Sequence, residues 1–356
     1  MPVNLPSSLP SPFDAPIAPS GPDCPPPTFP EQTPPPLRTY LSRGTLTMRR
    51  LHLAIFTAAL ACLTACDLDE IAADSTRYRE PFQHSYDLKP GGRFSLSGFN
   101  GPVEIYGWSQ DKVEINGEKY ASQKDRLDDI KIDILHTADT VSVKATRPEW
   151  NNWHGNAGVK FIVHVPRKIL LDEVKTSNGP ISIEGTEGRA RLLTSNGPMK
   201  IRDLKGDLDA TTSNGPLTIS GFNGSLVAST SNGPIDADGV RGVLDVNTSN
   251  GPVDIDASDL DRSRPVKIRT SNGPVKLTLD KVTTDVFVRS SNGPIELRVP
   301  ESGMNLRAST SSGKVRSDYP VSGETESKSE LSGKIAGGGP TVELKTSNSS
   351  IRIARF

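Results

Sequence analysis

Apolar and polar residues alternate with period two on both sides of a turn that recurs through the second half of the chain. Around Asn214, the inward positions are Leu208 and Ala210 before the turn and Leu217 and Ile219 after it. Period two is typical of a β-strand with one buried face, whereas a helix would repeat every three to four residues. The pattern therefore predicts repeated strand–turn–strand units and no helix in this region.

The turn has the sequence T-S-N-G-P, with S-S-N-G-P in its last full copy. Its asparagines, evenly spaced up to Asn250 and slightly farther apart after it, are Asn178, Asn196, Asn214, Asn232, Asn250, Asn272 and Asn292. An earlier N-G-P contains Asn100, and degenerate copies are expected to continue the series at Ser312, Ser332 and Asn348. A nearly constant period of this kind indicates a repeat protein. We expect each Asn-Gly pair to supply positive φ angles, and each proline to open a strand.

Two arrangements fit this pattern, an antiparallel meander and a parallel solenoid with one coil per repeat. The solenoid is favoured because it stacks Thr on Thr and Asn on Asn along its axis, whereas a meander needs another layer to cover it. We therefore predict an all-β fold for residues 171–356. This fold is a parallel β-solenoid of the β-helix or β-roll type, with about 18–20 residues per coil. Strands spaced by about 4.8 Å would give a rod roughly 50 Å long.

The two ends of the predicted solenoid differ in how their outermost strands are covered. Residues 82–170 alternate irregularly, and we expect them to form an N-terminal β cap continuous with the solenoid. The last coil, Ile351 to Phe356, has no obvious cap. An uncovered strand edge there would permit end-to-end self-association.

The chain before this cap is predicted to contain export and anchoring segments. Residues 1–47 contain 14 prolines and are expected to be a disordered extension from a mis-assigned start; residues 48–65 have the layout of a signal peptide. Leu63-Thr64-Ala65-Cys66 resembles a bacterial lipobox, which predicts lipid attachment at Cys66 and a tether over residues 66–81. The alternatives are an ordinary signal peptide or an uncleaved anchor.

Three segments together resemble a known family. They are N-G-P-V-E-I from Asn100 to Ile105, F-I-V-H-V-P from Phe161 to Pro166, and the T-S-N-G-P turns. This combination is similar to the bacterial putative-adhesin family of envelope proteins, which is built on a domain of unknown function. The resemblance covers roughly residues 85–356 and implies a β-solenoid at the cell envelope with no established enzymatic activity.

Composition excludes several function classes. The net charge of -1 gives no overall field for nucleic acid. All three cysteines precede the β-rich part of the chain, and the histidines lack metal-ligand spacing, so no metal site or cofactor is expected. The alternation points Asp236, Asp254 and Asp256 outward, which indicates a solvated face rather than a catalytic pair. We predict that the chain is not an enzyme.

One irregular segment could bind a ligand. Trp150, Trp153 and His154 lie close together among three asparagines, and flat aromatic rings beside amides suit a sugar. The alternative is that these tryptophans pack at an end of the solenoid. The row of repeat asparagines is interpreted as structural, satisfying backbone groups of the turns.

The sequence therefore favours a lipid-anchored binding or scaffolding protein of the cell envelope, on either membrane, with its domain in the periplasm or at the surface. Its expected partners are the membrane through the lipid, and envelope polysaccharide, peptidoglycan or other proteins. An accessory or sensing role in an envelope stress response is the alternative, and a carbohydrate-active enzyme is a weaker one.

Overall fold

The structure, a computed structural model, describes residues 78–147 and 156–356. The signal peptide, Cys66, and the segment with Trp150, Trp153 and His154 lie outside these residues. The described part is mainly β-structure, with 61 % of the described residues in strands. Its short helix α1 spans Lys124–Asp128. None of its helices is long and apolar enough to cross a membrane.

The strands before the regular coils are β1 Tyr78–Asp87, β2 Arg93–Ser97, β3 Val103–Trp108, β4 Lys112–Ala121, β5 Lys131–His136, β6 Thr140–Thr146 and β7 Ala157–Pro166. Those of the regular coils are β8 Leu170–Thr176, β9 Ile181–Glu184, β10 Ala190–Thr194, β11 Met199–Arg202, β12 Leu208–Thr212, β13 Leu217–Ser220, β14 Asn223–Thr230, β15 Ile235–Thr248, β16 Val253–Leu260, β17 Val266–Arg269, β18 Val275–Leu279, β19 Val286–Arg289 and β20 Ile295–Arg298. The last strands are β21 Met304–Thr310, β22 Val315–Ser317, β23 Ser322–Glu326, β24 Glu330–Ile335, β25 Thr341–Thr346 and β26 Ile351–Ala354.

The predicted parallel solenoid is confirmed. Sheet 1 is formed by the strands that precede the turns, in the order β5-β6-β2-β8-β10-β12-β14-β15-β17-β19-β25-β21-β24-β23. Sheet 2 is formed by those that follow, in the order β1-β4-β7-β3-β9-β11-β13-β15-β16-β18-β20-β26-β22. Every pairing between the regular coils is parallel and sets equivalent residues opposite each other, as in Leu208 opposite Leu226 and Leu217 opposite Ile235, apart from register shifts between β8 and β10 and between β15 and β16.

A third, shorter ladder closes each coil at its second turn. Single bridges join Lys168, Glu187, Lys205 and Asn223, and β14, β15 and β16 extend this ladder farther along. The side chain of Phe222 fills the interior at this turn. The rest of the core consists mainly of Ile, Val, Leu, Ala and Thr, as the alternation predicted, with Phe94, Phe161, Met199 and Met304 also fully buried.

The order of coils in space differs from their order in the chain at both ends. The coil made by β2 and β3 packs directly against that of β8 and β9, so Asn100 precedes Asn178. At the other end, β25 lies between β19 and β21, and β26 lies between β20 and β22. The expectation of a simple tandem series was therefore wrong: Asn348 follows Asn292 directly, Ser312 comes after it, and Ser332 lies in the antiparallel strand β24.

The expectation of an exposed last strand was also wrong. Ile351–Ala354 is paired on both sides, because the intervening chain turns back and forms the terminal positions itself. In sheet 1 the antiparallel hairpin of β23 and β24 covers the edge of β21. Sheet 1 therefore ends in antiparallel strands, and sheet 2 ends in the short strand β22. A short edge strand offers few unpaired backbone groups to another chain.

Candidate binding surface

The repeat motif builds a continuous edge where sheet 1 turns into sheet 2. The threonine before each asparagine points inward, and its hydroxyl donates a hydrogen bond to the carbonyl of the glycine in the preceding coil. Examples are Thr212 to Gly197, at 3.3 Å, and Thr230 to Gly215, at 3.2 Å. Each buried hydroxyl is thereby satisfied, which removes the main cost of a polar residue in the core.

The repeat glycines are required for close approach. A Cβ on Gly251 would stand 1.8 Å from the carbonyl oxygen of Gly233, and the same holds along the row. Their φ angles are not positive, so the expected positive φ at the Asn-Gly pair was wrong for the regular turns. Positive φ occurs instead at the second turn, at Gly221 and Gly239 for example.

The asparagines form a ladder of side-chain amides along the exposed edge. Each Nδ2 donates to the Oδ1 of its neighbour at 2.6–2.8 Å, through Asn100, Asn178, Asn196, Asn214, Asn232, Asn250, Asn272, Asn292 and Asn348. These amides bond mainly with one another rather than with the turn backbone, contrary to the interpretation from the sequence. The amides within the ladder keep one N–H and one lone pair for solvent or a ligand, except Asn250, whose Nδ2 also donates to the carbonyl of Ser231.

Beside this ladder, sheet 1 carries a groove of about 620 Å³. We call it the Ser–Arg face, and its floor consists of Asn247–Ser249, Arg269–Ser271, Arg289–Ser291, Ser309–Ser311 and Lys345–Ser347. Five neighbouring coils thus contribute the same three positions. The result is a row of hydroxyls beside a row that contains Arg269, Arg289 and Lys345.

The charges of this face are partly compensated. Arg269 lies 3.4 Å from Asp245, and Glu343 lies 3.0 Å from both Arg289 and Lys345. The hydrogen bond from Lys345, together with that from Arg289, holds the pKa of Glu343 below its ordinary value, although its partial burial acts in the opposite direction. Three cations therefore share two carboxylates, which leaves the groove with a positive excess.

The aspartates considered for catalysis lie on sheet 2 and point outward, as predicted. Asp236 is opposite Asp254, which binds Lys276 at 2.8 Å. Within residues 78–147 and 156–356, no group of three or more His, Cys, Asp or Glu side chains could hold a metal ion.

An aromatic cluster that the sequence pattern did not indicate lies at the N-terminal end of sheet 2. The ring of His164 stacks on those of Tyr106 and Trp108, at centroid distances of 5.6 and 5.1 Å. The alternation placed all three outward, but only the parallel pairing of β3 with β7 brings them together. Lys112 lies over the Trp108 ring, with its Nζ 5.4 Å from the ring centroid.

Fold and surface together define a class, the all-β parallel solenoids that present a repetitive outer face. The model of the Toastrack DUF4097 family, a domain of unknown function, matches residues 100–354, and the chain belongs to this family. This agrees with the resemblance found in the sequence.

Similar solved structures are a putative adhesin from Bacteroides fragilis NCTC 9343 (11 % identity, 78 % of this chain and 97 % of that chain, TM-score 0.36) and one from Parabacteroides merdae ATCC 43184 (11 %, 77 % and 96 %, TM-score 0.35). A third is a putative lipid binding protein from Parabacteroides distasonis ATCC 8503 (12 %, 77 % and 97 %, TM-score 0.36). Likenesses this weak support no transfer of function. A search of curated proteins gives no match.

Proposed function

We propose that this chain is a lipid-anchored, non-catalytic protein of the bacterial cell envelope that binds a repeating envelope polymer along its Ser–Arg face. The observation that carries the proposal is the repetition of that face. Five adjacent coils present hydroxyls at equivalent positions, and three of them add a cation beside these hydroxyls, Arg269, Arg289 or Lys345. A ligand whose own groups repeat can then make the same contact several times, and weak contacts add up along it.

The residues that line the Ser–Arg face indicate which class of ligand it binds. Serine and threonine hydroxyls donate and accept hydrogen bonds, as the hydroxyls of a polysaccharide do, and the excess of Arg and Lys favours a polymer with some negative charge. Peptidoglycan and acidic envelope polysaccharides have both properties. Lipid attachment at Cys66 would hold the solenoid at the membrane beside such polymers.

The test is co-sedimentation of the mature chain from Cys66 with purified peptidoglycan and envelope polysaccharides, with released sugar measured in the same samples. We expect binding without release, and we expect an Arg269→Ser, Arg289→Ser variant to bind about tenfold more weakly. The control is Arg202→Ser, Lys205→Ser, which removes two cations from regular coils elsewhere on the solenoid.

Release of sugar would show that the chain is an enzyme. Equal loss of binding in both variants would show that only the total charge of the chain matters, and the Ser–Arg face would have no specific role.

The lipid anchor is tested separately. A Cys66→Ser variant is expected to leave the membrane fraction and to incorporate no labelled fatty acid. Retention of both would contradict lipidation at this residue.

A further inference from the structure

A second groove, of about 500 Å³, lies on the other side of the turns in the last two coils. We call it the end groove. It is lined by Ser312, Gly313, Lys314, Arg316, Lys328, Asn348, Ser349, Ser350, Ile351 and Arg352. Four of these residues are cations with exposed side chains, and none of the described residues that line the groove is a carboxylate.

The fold itself brings these cations together. Strands β22 and β26 pair in parallel, with Arg316 directly opposite Arg352. The carbonyl of Lys328 accepts a hydrogen bond from the backbone N–H of Val315, which places Lys328 beside the same strand. Since β26 is inserted between β20 and β22, residues that are far apart in the chain become neighbours.

Like charges directly opposite each other destabilise a sheet, and in the regular coils several such charges are compensated by ion pairs, as in Arg269 with Asp245 and Arg289 with Glu343. Outward cations there meet carboxylates of a neighbouring coil, as in Lys276 with Asp254 at 2.8 Å and Lys205 with Glu187 at 3.5 Å. In the end groove, Arg352 reaches Asp318 at 3.2 Å. No ion pair between described side chains includes Lys314, Arg316 or Lys328.

The carboxylate of Asp318 already has two hydrogen-bond partners. Its carboxylate accepts a hydrogen bond from the backbone N–H of Arg355 as well as from the Arg352 side chain, and both lower its pKa. It therefore stays ionised at neutral pH but cannot compensate the other three cations. An external anion would compensate the charge of these three cations.

Departures from the repeat motif line this groove. Where regular turns have asparagine, glycine and proline, these two coils have Ser312, Ser349, Ser350 and Lys314. Proline has no donor to offer, whereas Ser350 and Lys314 at the same position have one or more. The irregular coils thus gain hydrogen-bond donors at the position where the regular coils have a row of prolines, Pro252, Pro274 and Pro294.

We propose that the end groove binds the phosphate or carboxylate groups of a polyanionic envelope polymer, through Lys314, Arg316, Lys328 and Arg352 with hydroxyl donors from Ser312 and Ser350. Arginine guanidinium groups bind phosphate and carboxylate oxygens in a bidentate manner, and both groups occur in envelope polymers. The proposal does not depend on the Ser–Arg face, because the end groove lies on the opposite side of the turns.

The experiment measures binding of the mature chain to three soluble probes by calorimetry at low and at physiological salt. The probes are poly(glycerol phosphate), polygalacturonate and neutral dextran. We expect the two charged probes to bind and dextran not to bind at this site. Preference between phosphodiester and carboxylate then identifies which source of negative charge the groove accepts.

The test variant is Arg316→Ser, Lys328→Ser, and the control is Arg202→Ser, Lys205→Ser, which makes the same change of charge. We expect affinity for the charged probe to fall roughly tenfold or more in the test variant, since two charge-assisted contacts are lost, and to change by less than about twofold in the control. Circular dichroism and the urea midpoint establish that both variants are folded.

Equal losses in the two variants, or no binding of either charged probe by the unaltered chain at low salt, would overturn the proposal. Loss of binding only in the Arg269→Ser, Arg289→Ser variant would also overturn it, while supporting the role of the Ser–Arg face. The two sites can therefore fail or succeed separately.

Discussion

Replacing a repeat glycine by alanine tests whether close stacking of the turns is what fixes the T-S-N-G-P motif. We choose Gly251→Ala, in the middle of the regular coils. The added Cβ would stand 1.8 Å from the carbonyl oxygen of Gly233 and 2.4 Å from its carbonyl carbon. Both atoms belong to the backbone, so no side chain can rotate out of the way, and the coils must separate locally.

Separation breaks identifiable bonds. The hydroxyl of Thr248 donates to that same carbonyl at 3.3 Å, and the amides of Asn250 and Asn232 are joined at 2.8 Å. At about 1 kcal/mol for each hydrogen bond and about 1–3 kcal/mol for overpacking, we expect a loss of about 3–5 kcal/mol in the free energy of unfolding.

Gly98→Ala is the matched control. Gly98 lies shortly before Asn100, its φ is not positive, and a Cβ there would meet its nearest atom, the carbonyl oxygen of Lys175, at 3.6 Å, an ordinary contact. Because alanine also lowers the entropy of the unfolded chain, we expect no destabilisation and a gain of up to about 1 kcal/mol.

The assay is urea unfolding followed by circular dichroism, together with amide hydrogen exchange resolved by coil. Exchange is needed because repeat proteins can open locally, so that one global transition does not describe them. In Gly251→Ala we expect faster exchange in the coils on both sides of the substitution. If the two variants have the same stability and the same exchange, the close-stacking explanation of the repeat glycine is wrong.

Three further predictions follow from single contacts. Thr230→Val removes the hydroxyl that donates to Gly215 and accepts from the N–H of Gly233; we expect a loss of about 1–2 kcal/mol in urea unfolding, and Thr230→Ser should retain most of the stability. Tyr319→Phe leaves the carbonyl of Val299 without its 2.6 Å partner in a buried site near the C-terminal end, and we expect a loss of about 1–3 kcal/mol, whereas an unchanged midpoint would mean that water replaces the hydroxyl. The pKa of Glu343 is lower in the folded state, so its contribution is present above its ordinary pKa and lost as pH falls through the folded value; below about pH 4.5 we expect the difference in stability between the unaltered chain and Glu343→Gln to shrink, and a difference that does not depend on pH would contradict this.

The sequence was sufficient for the fold class because the repeat is strict. Alternation identified the buried residues, and stacking of like residues selected a parallel solenoid over a meander. The same reasoning could not assign the role of the repeat glycine. A need for positive φ and a need for close approach both exclude a side chain, and only the distance from Gly251 to the backbone of Gly233 separates them.

The sequence by itself determined the coil: its length, its inward face and the ladder of asparagines all depend on a local pattern that recurs at a nearly constant period. Tertiary structure alone decided the order of the coils at the two ends. There the period is broken, and long-range pairing rather than local pattern inserts β26 between β20 and β22 and brings β2 and β3 against β8 and β9. The end groove arises from this rearrangement, because Arg316 and Arg352 become neighbours only when strands distant in the chain pair.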